Sequence, residues 1–259
     1  MTLVTGASAG IGAELAKVFA EHGHQTVIVA RRKAPLAAVA AAIAAAGHRP
    51  PHVVVADLET KDGPARLAKA LAARGLEPAI VVNNAGFGLS GMAADLDLNA
   101  QLAMIDLNAR ALTELSLRWI DSLARHHGGI LNVASIAGFL PGQGMAVYHA
   151  SKAYVISLSE ALHRELAPRG VRVSVLCPGP VPTEFQGRAG IATDEYPRFL
   201  LRSARRVAND GYAGFMQGRR VIVPGFHNRL VIAIERLLPG SMTLGIADRG
   251  GRKTARRRR

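Results

Sequence analysis

Hydrophobic positions along this chain fall into two alternating patterns. Short, near-continuous apolar runs rich in β-branched residues stand at 2–5 (TLVT), 25–30 (QTVIVA), 52–56 (HVVVA), 79–83 (AIVVN), 129–134 (GILNVA), 171–177 (VRVSVLC) and 220–223 (RVIV). Runs of this kind, without polar alternation, are expected of strands buried on both faces. Between them, helical patterns occupy roughly 10–22, 34–46, 61–73, 100–126 and 147–167. Strand and helix taken in turn predict an α/β fold: a doubly wound parallel sheet in a single domain, with helices on both faces and right-handed crossovers. The Pro- and Gly-rich stretch CPGPVPTEFQGRAG at 177–190 breaks the alternation and reads as a loop over a site. Apolar residues at helical spacing in 228–242 predict a further helix, read first as an interface helix, with a lid element and a membrane-surface helix as alternatives.

Composition narrows the class. At 259 residues and 49% hydrophobic, the chain can bury the core of one large α/β domain. The single cysteine, Cys177, rules out an internal disulfide and a thiolate metal cluster, and it fits a reducing cytoplasm. No secretory signal opens the sequence, and no apolar run reaches the ~20 residues that span a bilayer, so a cytoplasmic location is expected. The formal charge of +13 is uneven. Seven positive residues (Arg249, Arg252, Lys253 and Arg256 to Arg259) fall in the last eleven. The expected organisation is one domain over 1–248, with a substrate lid near 184–217, and a basic, solvated tail at 249–259. Contact of that tail with an anionic surface is the alternative; nothing upstream resembles a nucleic-acid module, so no specific nucleic-acid partner is expected.

Open parallel sheets bind ligands beyond the carboxyl ends of their strands, and the chemistry-bearing residues of this chain stand there. After the first strand, TGASAGIG places Gly6, Gly10 and Gly12 in a strand–turn–helix setting, where backbone N–H groups can meet a phosphate. The second strand ends in VARR. An NAD site usually has an acid here for the ribose 2′-hydroxyl; Arg31 and Arg32 instead suit a 2′-phosphate, so NADP(H) is preferred and NAD(H) is the alternative. Asp57 after the third strand suits either the adenine amino group or a helix cap. Asn83 and Asn84 in NNAG can tie strand ends together, while Ala85 and Gly86 leave room for a cofactor. Tyr148 and Lys152 in YHASK share one face of a helix. A free phenol is a poor acid or base at neutral pH, and a nearby cation favours its charged form. Ser135, thirteen residues before Tyr148, supplies a hydroxyl suited to holding a carbonyl oxygen.

Taken in this order, TGASAGIG, NNAG, Asn108 in MIDLNARA, Ser135, YHASK and PGPVPT resemble the short-chain dehydrogenase/reductase family from about Thr2 to Thr183. The resemblance implies a Rossmann-type fold and hydride transfer between NADP(H) and a carbonyl or alcohol substrate: a ketone, an aldehyde or a 3-oxoacyl group. It implies that Tyr148 is the general acid/base, that Lys152 tunes it and holds the nicotinamide ribose, and that Ser135 polarises the substrate oxygen. Asn108, in the long helix, would hold a water that links Lys152 to solvent. Gly6, Ser8, Gly10, Ile11 and Gly12 would line the pyrophosphate site. Asp57 and Leu58 would meet the adenine, Asn84, Ala85 and Gly86 would border the cofactor, and Pro178, Gly179, Val181 and Thr183 would meet the nicotinamide. Pro180 and Pro182 depart from the usual motif and should stiffen that loop. Residue 9 is Ala where many NADP-dependent relatives have a basic residue, which leaves the phosphate to Arg31 and Arg32. A homodimer or homotetramer through the two long helices is also implied. The alternative reading is an NADP(H)-binding sensor of the same fold with little turnover. In the lid, Phe185, Ile191, Tyr196, Phe199, Leu200, Leu201, Phe215 and Met216 suit an apolar substrate. Arg188, Arg198, Arg202, Arg205 and Arg206 read as a solvated face, with an anionic carrier such as an acyl thioester as the alternative.

Overall fold

The computed structural model describes residues 1–190 and 198–237. Seven parallel strands form one sheet in the order β3-β2-β1-β4-β5-β6-β7. They are β1 (Thr2–Thr5), β2 (Thr26–Ala30), β3 (His52–Val55), β4 (Ile80–Asn83), β5 (Gly129–Val133), β6 (Arg172–Leu176) and β7 (Val221–Ile222). The strand order reverses between β1 and β4, so a crevice opens there at the carboxyl ends.

The helices are α1 (Gly10–Glu21), α2 (Lys33–Ala45), α3 (Gly63–Ala72), α4 (Leu98–Ile105), α5 (Leu112–Arg118), α6 (Ile120–Arg125), α7 (Ala146–Leu166), α8 (Glu184–Ala189), α9 (Ala204–Met216) and α10 (Phe226–Leu237). Successive strand residues point to opposite faces, and the core divides accordingly. Val4, Ile28, Val82 and Leu131 join Leu15, Phe19, Leu36 and Phe215 on one side. Leu3, Val27, Val81 and Ile130 join Leu67, Leu115, Leu123 and Leu162 on the other. Both faces of the central strands are covered, which is why these strands read as near-continuous apolar runs.

The structure departs from the sequence expectation in three places. The helix expected over 100–126 is interrupted by a π-helical turn at Asp106–Ala111 and by a break at Trp119, where φ is −114° and ψ is 21°. Residues 184–189 are a short helix and not loop. The side chain of Thr183 accepts from the backbone of Phe185, while the Gln186 amide oxygen accepts from the backbone N–H of Thr183 at 2.9 Å, so a reciprocal cap starts α8. Finally, much of the expected lid belongs to the core. Helix α9 packs on α1, with Val207, Ala208 and Phe215 buried beside Leu15 and Phe19. Arg205 forms ion pairs with Glu14 and Glu21 on α1, and Arg188 pairs with Glu184 at 3.1 Å, so these two arginines are engaged within the chain.

Phe199 is exposed, whereas Phe215 is fully buried. Ile191, Tyr196, residues 238–242 of the 228–242 segment and the basic tail lie outside the described residues. Among the described residues no helix is long and apolar enough to cross a membrane.

Candidate active site

A cleft of about 520 Å³ runs along the carboxyl ends of the strands, from Arg31 and Asp57 at one end to Tyr148 and Phe185 at the other. Its floor is the turn from β1 to α1. Gly6 has φ of +66°, and a Cβ on it would stand 2.8 Å from the Ala85 Cα, so both conformation and space require glycine. Gly12 does not line the cleft. It lies behind the turn, where a Cβ would come 2.3 Å from the Asn84 Nδ2.

Asn84 acts as a staple. Its Nδ2 donates to the carbonyls of Thr5 at 3.0 Å and Gly6 at 3.3 Å, and its backbone N–H donates to the Thr5 hydroxyl at 3.0 Å. Neighbouring Asn83 donates to Ser116 and to Asn132 across the sheet, at 3.0 and 2.9 Å. The ends of β1, β4 and β5 are thereby held in register. Helix α1 starts at Gly10 with no side-chain cap and no acid in its first turn. Its first N–H groups border the cleft beside Ser8, Ala9 and Ile11, which suits an anion.

Arg31 and Arg32 both line the cleft, but on different partners. Arg31 reaches Glu59 at 3.0 Å and Asp57 at 3.9 Å. Arg32 reaches Glu184 at 2.6 Å and the Ser8 hydroxyl at 3.4 Å. Asp57 does not cap α3; Asp62 stands at that position, and the Asp57 carboxylate accepts the Glu59 backbone N–H at 3.0 Å. Leu58 is buried against the core and borders the same end of the cleft.

The opposite end is built on β5, α7 and the loop after β6. Tyr148 and Lys152 lie one turn apart on α7 and are only 8% and 6% exposed. The Lys152 Nζ donates to the Val133 carbonyl at 3.0 Å and sits 5.8 Å from the Tyr148 ring centroid. Burial in this apolar setting pushes the Lys152 ammonium down to about 8, with buried Cys177 opposing the shift. Ser135 stands in extended backbone at the end of β5, its hydroxyl accepting from the Ala137 N–H at 3.1 Å and 3.5 Å from the Pro178 carbonyl.

Asn108 is fully buried and does not line the cleft. Its side chain clamps three groups. The Oδ1 accepts from the Phe87 N–H at 3.1 Å; the Nδ2 donates to the Phe87 carbonyl at 2.9 Å and the Ser151 hydroxyl at 3.1 Å. Ser151 in turn donates to the Tyr148 carbonyl at 2.7 Å. Asn108 therefore ties the chain after β4 to the helix that carries Tyr148. A Cβ on Gly86 would meet this amide at 2.8 Å.

Pro178, Gly179, Val181 and Thr183 line the same end of the cleft. The Pro178 carbonyl accepts from Ile136 at 3.0 Å, and Asn228 of α10 fills the space beside Gly179. Thr183 lies against the glycine turn, 3.1 Å from where a Gly10 Cβ would stand.

Four further residues shape the cleft, three at this end and Glu184 at the other. Phe87 and Phe185 line it, and the Phe185 ring lies 5.4 Å from that of Tyr148. His149 ties α7 to the substrate-side loop through Nδ1 and the Leu140 carbonyl at 2.7 Å, and burial holds its imidazole below the ordinary range. Glu184 faces Arg32 from 152 positions away. Phe185 was readable from its apolar character in a presumed lid; the others carry no local signal.

The family model described as short chain dehydrogenase matches residues 1–193. The chain belongs to the short-chain dehydrogenase family. It is 35% identical over 188 residues to an uncharacterized oxidoreductase of Staphylococcus saprophyticus, covering 72% of this chain and 80% of that one. Among solved structures, it is similar to a short-chain dehydrogenase from Sphingobium yanoikuyae in complex with NADPH, with a TM-score of 0.80, 33% identity, and 91% and 94% of the two chains covered. It is also similar to the bulky-bulky ketone specific alcohol dehydrogenase from Comamonas testosteroni, with a TM-score of 0.76, 30% identity, and 91% and 92% covered. As a short-chain dehydrogenase, the chain is an oxidoreductase; most motif residues read from its sequence line one cleft, with Gly12 and Asn108 packed behind it.

Proposed function

We propose that this short-chain dehydrogenase interconverts a carbonyl and an alcohol with NADP(H), Tyr148 passing the proton. The observation that carries this reading is the buried Tyr148–Lys152 pair at one end of a cleft floored by an uncapped helix start. The cofactor, when bound, supplies or accepts the hydride. The chain supplies everything else. The turn from Gly6 to Ile11 offers backbone N–H groups and close approach to a pyrophosphate. Lys152 holds a positive charge beside the phenol and a hydrogen-bonding head for ribose hydroxyls. Tyr148 gives its proton to the substrate oxygen in reduction and takes it back in oxidation; a placed general acid of this kind is worth about 10²–10⁴-fold. Ser135 holds the same oxygen from the other side.

Phe87, Ile136, Leu140, Met145 and Phe185 wall this end of the cleft with apolar surface, which excludes water and suits a bulky apolar ketone, aldehyde or alcohol. The ketone specificity of the similar Comamonas enzyme supports that class. The NADPH complex of the similar Sphingobium enzyme supports the phosphate-bearing cofactor, with Arg31 and Arg32 as its readers. Titration with NADPH and with NADH, followed by calorimetry, tests the assignment. Replacing both arginines by Ala is expected to weaken NADPH by about 10- to 100-fold relative to NADH. Equal weakening of both would remove the 2′-phosphate from their role.

Assembly into a dimer or tetramer belongs to the same proposal. Leu98, Leu102 and Ile105 on α4 are 66%, 49% and 43% exposed at spacings of four and three residues, and Tyr154 on α7 is 44% exposed. This stripe presents an apolar helix face on the two elements that the family resemblance assigns to subunit contact. Sedimentation velocity is expected to report at least twice the 27.3 kDa chain mass; a monomer at micromolar concentration would overturn it.

A further inference from the structure

Helix α8 touches both ends of the cleft with two consecutive residues. Glu184 holds Arg32 through its Oε2 at 2.6 Å, and the same oxygen receives Arg188 at 3.1 Å. Phe185 lies on the Tyr148 ring, and its Cζ stands 2.8 Å from where a Cβ on Gly88 would be. The helix is held as a unit. Thr183 and Gln186 cap its start reciprocally, Ala189 is buried and its carbonyl accepts from Ser90 at 3.0 Å, and Gly190 ends it in left-handed backbone with φ of 72°. A shift at Glu184 is therefore not absorbed by a flexible loop before it reaches Phe185.

Arg32 is one of two cations assigned above to the 2′-phosphate, and in this structure a carboxylate already occupies it. A carboxylate and a phosphate are both planar-fork partners of a guanidinium. Two anions drawn onto one guanidinium nitrogen repel each other, so they compete for it. The contact is long-range in sequence and joins the residues after β2 to the first residue of α8, both lining the cleft. It also differs from the pairing of Arg31, whose acids Asp57 and Glu59 lie beside it at the end of β3 and would not move α8.

We propose that Glu184 is a specificity-determining residue: it holds Arg32 in place of the cofactor's 2′-phosphate, and its displacement by that phosphate moves α8 and uncovers Tyr148. The inference rests on the NADP(H) reading above and deepens it. A cofactor that lacks the 2′-phosphate leaves the Arg32–Glu184 contact closed, so discrimination reaches the catalytic end through α8 as well as acting at the phosphate itself.

The test is a double-mutant cycle on Glu184 and Arg32, read by calorimetry with NADPH and NADH. Glu184→Gln keeps the shape and removes the charge at a half-exposed position. It is expected to tighten NADPH by about three- to tenfold while NADH changes less than about twofold. In an Arg32→Ala background the same substitution should change neither. Hydrogen exchange supplies a readout independent of turnover. Adenosine 2′,5′-bisphosphate should speed exchange at residues 184–190, and 5′-AMP should not.

Equal tightening of both cofactors by Glu184→Gln, or the same effect without Arg32, would reduce Glu184 to a general negative charge and overturn the inference. So would identical exchange with the two adenosine nucleotides. If Arg32→Ala weakens NADPH but Glu184→Gln moves nothing, the phosphate assignment stands and the inference falls. If Arg32→Ala moves neither cofactor, the phosphate assignment falls first and the inference with it.

Discussion

Tyr148→Phe is expected to bind cofactor as the wild type does and to lose turnover by about 10²–10⁴-fold. The substitution removes one oxygen and leaves the ring on Phe185 and on the turn of α7 that carries Lys152. Binding affinity and fold should therefore survive, and the loss should appear in kcat. Steady-state reduction of an apolar ketone, beside a cofactor titration of the same preparation, makes the measurement. Turnover within a fewfold of wild type would take Tyr148 out of the proton transfer and return the sensor reading to the front.

Lys152 carries the second large effect, and its sign depends on pH. A cation beside a phenol favours the charged form by about 1–3 pK units, so Lys152→Met should lower turnover by roughly 10- to 1000-fold. Burial lowers the ammonium from 10.5 to about 8. In wild type, kcat/KM for reduction is then expected to hold below pH about 8 and fall above it, as the cation is lost. Lys152→Arg keeps its charge and should abolish that break.

The same shift has a consequence for stability. Between pH about 8 and 10.5 the unfolded chain binds the proton and the native chain does not. The stability contribution of Lys152 therefore rises with pH through this window, and it is lost as pH falls through about 8. Lys152→Met should be the more stable protein below pH 8, with a lead that shrinks toward pH 10.5. Thermal melts of both proteins across this range check it. A wild-type rate profile without a break near 8, or a stability difference that does not vary with pH, would show that the ammonium is not the buried group described.

The parts of this fold that were legible in the sequence are those fixed by burial. Strands covered on both faces are mostly apolar, and their few polar residues, such as Asn83, Asn132 and Ser174, are buried, so the seven runs matched β1 to β7 within a residue of their ends. The glycine turn, NNAG and YHASK were legible because each is a short run of fixed residue types, although Asn83, Asn84 and Gly6 meet partners far away in sequence.

Other features were not. A π turn changes the phase of a helix by one residue, which an apolar spacing pattern over 100–126 cannot resolve. Prolines and glycines hid α8, although TEFQ at 183–186 is itself a capping-box signal. The lid was drawn too long because α9 mixes Arg205, Arg206 and Asp210 with apolar residues, while Val207 and Phe215 meet α1 from a distance in sequence. The ion pairs of Arg31 and Arg32 reach partners 28 and 152 positions away, and no local pattern records them.

The π turn at Asp106–Ala111 also has a meaning for how this site tolerates change. One α-helical residue is about 100° of rotation. The turn sets Asn108 inward on Phe87 and Ser151 while Leu98, Leu102 and Ile105, just before it, look outward. Relaxing it to regular α-helix by removing one residue would swing everything on one side against everything on the other. A substitution here alters one contact; a one-residue deletion would alter the phase between the outer face of the molecule and the clamp beneath Tyr148. Chain length in this turn is thus as much a part of the cleft's architecture as the identity of any side chain.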